Sequence, residues 1–250
     1  MNVRVYPTAK AAGVAAAEAV AAALRKLSAE RTVIGVIFAT GASQIETLHA
    51  LTSIPDLPWD KVHGFHMDEY IGIDADHPAS FRRYLRENLT SRVAMAAFHE
   101  MNGDASDLER VQREYMATLR AADPRLCLMG IGENGHIAFN DPHEADFDDP
   151  EPIKIVTLDR ACREQQVAEG WFPCIDRVPE RALTLTIPTI LKVPKLFASV
   201  PGKRKAAIVR RALSDPISAH CPATILRTHP DVTIYLDEES ASELGDGVKP

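Results

Sequence analysis

The 250-residue chain has no Cys-x-x-Cys pair; its four cysteines, Cys127, Cys162, Cys174 and Cys221, stand far apart. That spacing excludes a disulfide scaffold or a cysteine-rich zinc module and favours a reducing, cytoplasmic setting in which the thiols are small buried apolar groups. The first residues carry no basic stretch followed by an apolar one, so no secretory signal is expected. No apolar run approaches the roughly 18 residues of a membrane span, and no membrane partner is expected. The formal net charge of -7 and the pI near 5.7 argue against nucleic acid or an anionic membrane as partner. A small anionic ligand needs only a few local cations and stays open. Internal repeats, low-complexity tracts and Gly/Ser linkers are all missing, so residues 1–250 are expected to form a single domain, and 46% hydrophobic with 25% charged content suffices for its core.

The chain then reads as alternating elements. Strands are expected at 3–5, 32–39, 61–66, 126–130, 153–158, 182–187, 196–200 and 232–236, where β-branched and apolar residues cluster. Helices are expected at 9–27, which is rich in alanine, and at 45–51, 80–88, 108–119 and 203–213. This alternation predicts a three-layer α/β sandwich, with a mostly parallel Rossmann-like sheet covered by helices on both faces. Two proline-bearing loops, 140–152 and 168–180, are long enough to be read as lids.

Ligands of such sheets bind beyond the carboxyl ends of the strands, and unusual segments fall there. Thr40-Gly41-Ala42-Ser43 is a small-residue turn entering a helix, suited to an anion; it lacks the P-loop lysine, which argues against a nucleoside triphosphate. His66-Met67-Asp68-Glu69-Tyr70 places adjacent carboxylates at a strand end, and alternation prevents both from facing water, so one is a candidate general base. Gly130-Ile131-Gly132-Glu133-Asn134-Gly135-His136 contains G-x-G-x-x-G, yet the segment after it is acidic and broken by proline rather than helical, which weighs against dinucleotide binding. The turn better serves to bring His136, Asn134 and Asp141 to a substrate, with Asp141 orienting the imidazole. Gly202-Lys203-Arg204-Lys205 opens a helix with cations that oppose its dipole, an arrangement that a bound anion would compensate. His66 and Asp68, with His63 nearby, suggest metal ligation, but no further ligands with metal spacing follow, so no metal is expected.

Taken together, Ala39-Thr40-Gly41-Ala42-Ser43, Met67-Asp68-Glu69-Tyr70-Ile71-Gly72 with His77-Pro78 and Ser80, the run from Gly130 to Pro142 (GIGENGHIAFNDP), and Gly202 to Lys205 resemble the glucosamine-6-phosphate deaminase family, related in fold to the 6-phosphogluconolactonases. The resemblance spans about residues 30–240. It implies that His136, aided by Asn134 and Asp141, opens the sugar ring. Asp68 then moves the C2 proton to C1, and water at C2 releases ammonia, with neither metal nor organic cofactor. It also implies a phosphate held by Thr40, Gly41, Ala42, Ser43 and Lys205, with Gly135 a further substrate-binding residue. The chain departs from many members at Asn134, where they carry Asp, and at Asp141, where they carry Glu. A phosphate-binding arginine of the family aligns with Gln166, and Arg163 one helical turn earlier is the expected substitute.

The expected partner is thus a sugar phosphate, with a homo-oligomer left open. The lactonase alternative fits less well, because its pattern resembles G-x-G-x-D-G-H-T-A-S-L-F-P. A sugar-phosphate sensor would explain the altered relay residues, yet a sensor has no need of a base at C2.

Overall fold

A computed structural model describes residues 1–245. The chain opens with β1 (Asn2–Tyr6) and α1 (Ala9–Glu30), whose start is capped by Thr8 Oγ1 accepting the Ala11 N–H at 3.1 Å. There follow β2 (Ile34–Phe38), α2 (Ile45–Ser53), β3 (Val62–His66), β4 (Asp68–Tyr70) and α3 (Phe81–Leu85), which widens into a π turn at Arg86–Thr90. Next come β5 (Ala97–His99), α4 (Leu108–Ala122), β6 (Leu126–Met129), β7 (Ile153–Thr157) and α5 (Arg160–Ala168). The chain closes with β8 (Arg181–Leu185), α6 (Ile187–Leu191), β9 (Lys195–Ser199), α7 (Ala206–Ser214) and β10 (Val232–Asp237).

Seven strands form one parallel sheet in the order β1-β10-β9-β6-β2-β3-β5. Its central strands are buried on both faces, and the period of two sorts their side chains. Ile34, Val36, Phe38, Leu126 and Leu128 pack with α1 and α2, whereas Ile37, Cys127 and Met129 pack on the opposite side with α4 and α7. The expected three-layer α/β domain is therefore present, and among the described residues no helix is long and apolar enough to cross a membrane.

One expectation needs correcting. Strands β7 and β8 do not extend the parallel sheet; with β4 they make a separate antiparallel sheet in the order β4-β8-β7. Hydrophobic runs announce strands without announcing their partners, and here the partner is a three-residue strand hidden in the His66–Tyr70 motif. The chain leaves β3 at Met67, whose carbonyl accepts the Leu185 N–H at 2.8 Å, and enters the second sheet at once. That step puts Asp68 above the carboxyl edge of the main sheet.

Candidate active site

The loops after β2, β3, β6 and β9 converge on one open cavity of about 550 Å³. Its walls include Ala39–Ser43, Met67–Asp68, the glycine turn from Gly130 with His136, and Pro201–Lys205. Two of them share a backbone solution. Gly41 (φ 96°) and Gly202 (φ 94°) each take a left-handed conformation that opens one 3-10 turn, Ala42–Gln44 and Lys203–Lys205, before α2 and α7. Both helix starts thus present N–H groups toward one cavity, a pairing suited to an anion. Gln44, fully buried, holds the first turn by donating to Ser43 Oγ (3.0 Å) and the Met129 carbonyl (3.1 Å). In the second turn Asp237 accepts the Gly202 N–H with both oxygens at 3.0 Å. Lys205 is buried, and its Nζ donates to the Ile131 carbonyl at 2.9 Å; burial lowers its pKa.

The two carboxylates of the β4 motif part company. Asp68 lines the cavity, is 6% exposed, and leaves Oδ1 without a hydrogen-bond partner among the described residues. Burial and then the neighbouring Glu69 charge push its pKa well above the ordinary carboxylate value. Glu69 turns the other way, wholly buried, and accepts the Ser80 hydroxyl (2.9 Å), the Phe81 and Arg82 N–H groups at the start of α3 (3.2 and 3.0 Å), and Arg82 Nε (3.1 Å). It anchors α3 beneath the site and is not part of the cavity wall.

His136 stands across the same cavity. Its Nδ1 lies 3.0 Å from Asp141 Oδ1, and Asp141 is fully buried behind it. Asn134 Nδ2 donates to Asp141 Oδ1 (2.9 Å) and to Asp159 Oδ2 (3.1 Å), while its Oδ1 accepts the His136 N–H (3.0 Å). Burial alone would raise the Asp141 pKa, but His136, Asn134 and the Asp159 N–H outweigh it and hold the carboxyl below its usual value. Asp141 is therefore a fixed anion suited to keep the imidazole oriented. The ring lies flat on Gly132: a Cβ there would stand 2.2 Å from His136 Cε1 and Nε2. Gly132→Ala is expected to swing the ring off Asp141 and lower turnover roughly 10²-fold, the cost of misplacing a reacting group by about 1 Å, with a thermal melt close to that of the unaltered chain.

The sequence similarities decide the kinship. The chain matches the glucosamine-6-phosphate isomerases/6-phosphogluconolactonase family over residues 7–235. It belongs to that family. It is 33% identical to the glucosamine-6-phosphate deaminase of Arthrobacter sp. over 98% of this chain and 93% of the relative. It is 35% identical to glucosamine-6-phosphate deaminase 1 of Bacillus subtilis over 82% and 85% of the two chains. A solved monomeric glucosamine-6-phosphate deaminase superposes with a TM-score of 0.88 at 31% identity, covering 97% of this chain and all (100%) of that one. A 6-phosphogluconolactonase from Trypanosoma brucei (TM-score 0.80, 18% identity, 98% of each chain) shares the fold alone. The chain is thus a glucosamine-6-phosphate deaminase-like enzyme.

Against this family background, Thr40, Gly41, Ala42, Ser43, Asp68, His136 and Lys205 all fall on the one cavity. Asn134 and Asp141 lie behind His136, and Gly135 (φ 91°) serves the turn, packed against Cys221. Arg163 does not replace the family arginine. It lies outside the cavity wall, where Nη2 donates to the Ile175 and Val178 carbonyls (2.8 and 3.0 Å) and so ties α5 to the following turn. The helical spacing placed it one turn from Gln166, and the cavity is lined by Gln166 itself together with Gln165 and Glu169, to which no sequence motif points. Their signal was an amphipathic helix with glutamines on its buried face, at 9% and 7% exposure.

His66 and Asp68 do not form a metal pair. They occupy different sheets, and His66 is buried, accepting the Met101 N–H at 2.5 Å with its pKa lowered to about 3 by burial and the Arg82 charge. Among the described residues, one group of metal-ligating atoms converges: His136, Asp141 and Cys162, within 4.8 Å of one another and buried behind the imidazole. Loop 140–152 contributes no residue to the cavity wall; Lys154 pins it by contacts with Asp149 (2.8 Å) and the Glu144 carbonyl (2.6 Å). Loop 168–180 contributes Glu169.

Proposed function

We propose that the enzyme converts glucosamine 6-phosphate and water to fructose 6-phosphate and ammonia by general acid/base catalysis without a metal. The observation that carries this reading is the Asp68 oxygen left without a partner among the described residues, which shares a cavity with His136, whose Nδ1 lies 3.0 Å from Asp141, and with two glycine-led helix starts. In this scheme the phosphate sits between the Thr40–Ser43 turn and Lys205. His136 takes the O1 hydroxyl proton and returns a proton to the ring oxygen, opening the pyranose. Asp68 then removes the C2 proton and delivers it to C1, passing through an enolamine. Water adds to the resulting C2 iminium, and ammonia leaves as the C2 carbonyl forms. A base of raised proton affinity is well matched to a weakly acidic C–H, because transfer is most efficient when its pKa approaches the working pH. Asn134 has no titratable proton at neutral pH, so in this chain it acts by holding Asp141 and the His136 backbone.

Ammonia release from glucosamine 6-phosphate, with galactosamine 6-phosphate and a lactone as competing substrates, tests the reading; dialysis against a chelator is expected to leave the rate unchanged. Turnover of the lactone alone would replace this reading with the hydrolase. Lys205→Met keeps the aliphatic stem but removes the charge-assisted bond, worth about 1.5–3 kcal/mol, so KM is expected to rise roughly 10- to 100-fold with a smaller change in kcat.

A further inference from the structure

The wall of the anion subsite includes an acid. Glu169, just past α5, lines the cavity, and its carboxylate is fixed there by the Gln165 amide donating to Oε1 (2.7 Å) and Trp171 Nε1 donating to Oε2 (3.1 Å). Trp171 packs edge-on against Tyr84, with centroids 5.9 Å apart, and the Tyr84 hydroxyl donates to the Gly41 carbonyl (2.8 Å), so the acid is braced over the first glycine-led turn. It also reaches the second: while burial lowers the Lys205 pKa, Glu169 is the foremost of the carboxylates that oppose that shift. Of the other acids around the second turn, Glu239 is exposed to solvent and two are already engaged. Glu133 pairs with Arg204 at 2.8 Å, and Asp237 accepts the Gly202 N–H. Glu169 has amide and indole donors but, among the described residues, no such cationic partner.

A carboxylate that has no ion-pair partner among the described residues, and shares only the field of Lys205, repels a phosphate dianion beside it, and in a half-enclosed cavity the repulsion is poorly screened. A phosphate monoester whose second pKa is about 6 offers an alternative form, with one negative charge fewer and a P–OH donor. We propose that Glu169 is a specificity residue of the anion subsite, its carboxylate accepting the P–OH hydrogen of a singly protonated phosphate. The subsite then prefers the phosphate monoanion to the dianion and rejects sulfate, which has no proton to donate. This rests on the cavity being the phosphate subsite of the proposed reaction.

The charged and titratable groups around Glu169 are Lys203, Arg204 and Lys205 at the start of α7, Glu133 on the glycine turn, Asp237 at the end of β10 with Glu239 just past it, Tyr84 on α3, and Tyr70 and Asp68 on β4, with His136 on the same cavity. Titration of any of them acts on phosphate and sulfate alike and persists when Glu169 is neutral, which gives the test its controls. Binding of inorganic phosphate and of sulfate is measured by calorimetry at about pH 5.5 and about pH 8, on either side of the phosphate transition, for the unaltered chain and for Glu169→Gln. The unaltered chain is expected to bind phosphate roughly tenfold more tightly at the lower pH and to bind sulfate more weakly than phosphate there. In Glu169→Gln the preference for phosphate over sulfate should collapse, and phosphate binding at the higher pH should strengthen by a similar factor. The same pH response and anion preference in both proteins would overturn the proposal, and so would absence of phosphate binding from both. Ammonia release by the unaltered chain is assayed separately; its absence alongside the expected anion pattern would strike the reaction scheme and leave the role of Glu169 standing.

Discussion

Asp68→Asn is expected to lower ammonia release by roughly 10²- to 10⁴-fold, the usual contribution of a positioned general base, equivalent to about 3–5 kcal/mol of transition-state stabilisation. KM should change little, because in the proposed reaction the residue meets the sugar at C2 rather than at the phosphate. The substitution nearly conserves volume, and Oδ1 has no partner among the described residues to lose. The sign of the stability effect follows from the pKa. Burial and Glu69 raise the folded-state pKa of Asp68, so its favourable contribution is complete at low pH and is lost as pH rises through that raised value. At neutral pH the variant should therefore melt no lower than the unaltered chain, and loss of activity with retained stability separates chemistry from misfolding. The same shift governs the rate profile. A base works when ionised, so kcat/KM should fall on the acid side with an apparent pKa above the ordinary carboxylate range, and that limb should vanish in the variant's residual activity. Because Asp68 and Glu69 are adjacent, the apparent pKa belongs to the pair.

Arg82→Ala is expected to produce the largest loss of stability, about 3–5 kcal/mol, the cost of stranding one member of a buried ion pair. Arg82 donates not only to Glu69 but to Asn102 Oδ1 (3.0 Å), Asp104 Oδ1 (2.9 Å) and the Ile73 carbonyl (2.8 Å), joining α3 to the segments on either side of β4. The Glu69 pKa is already raised by burial, against the pull of the α3 N–H groups, Ser80 and Arg82. Without the guanidinium it should rise further. The ionised form is then the more heavily penalised one, so the stability deficit should grow as pH increases from about 5 to about 8. Urea titrations at the two pH values measure this, and a deficit that is flat or shrinks with pH would show that Glu69 does not depend on Arg82 for its charge. Activity should fall with stability, since Glu69 fixes the strand from which Asp68 reaches the cavity.

How much of this was legible beforehand depends on whether the signal was local. The glycine-led turns, the β2–α2 unit and the His136 turn are written in contiguous residues, and the resemblance placed them at the mouth of one α/β sheet. The division of labour between Asp68 and Glu69 was half legible: alternation said they must differ, but only the α3 start, with Ser80 and Arg82, decides which one is buried. The second sheet was not legible, because β4 has three residues and its partner β8 comes more than 110 positions later. Arg163 failed for a related reason. One helical turn puts two residues on neighbouring parts of a face, yet the carbonyls of the 175–178 turn capture its guanidinium. Gln165 and Glu169 were hard to read because glutamine and glutamate near the end of a helix usually mean a solvated face, whereas here Gln165 bonds to Glu169, and Glu169 to a Trp171 that packs on Tyr84.

The central claim is that Asp68 moves the C2 hydrogen of a phosphate-anchored amino sugar. It is tested most directly with glucosamine 6-phosphate deuterated at C2, following ammonia, fructose 6-phosphate and the label in the unaltered chain and in Asp68→Asn. The account predicts equimolar ammonia and ketose phosphate, the label appearing at C1 or in solvent, a primary isotope effect on the isomerisation step, and loss of all of these in the variant. Undiminished ammonia release from Asp68→Asn would contradict it.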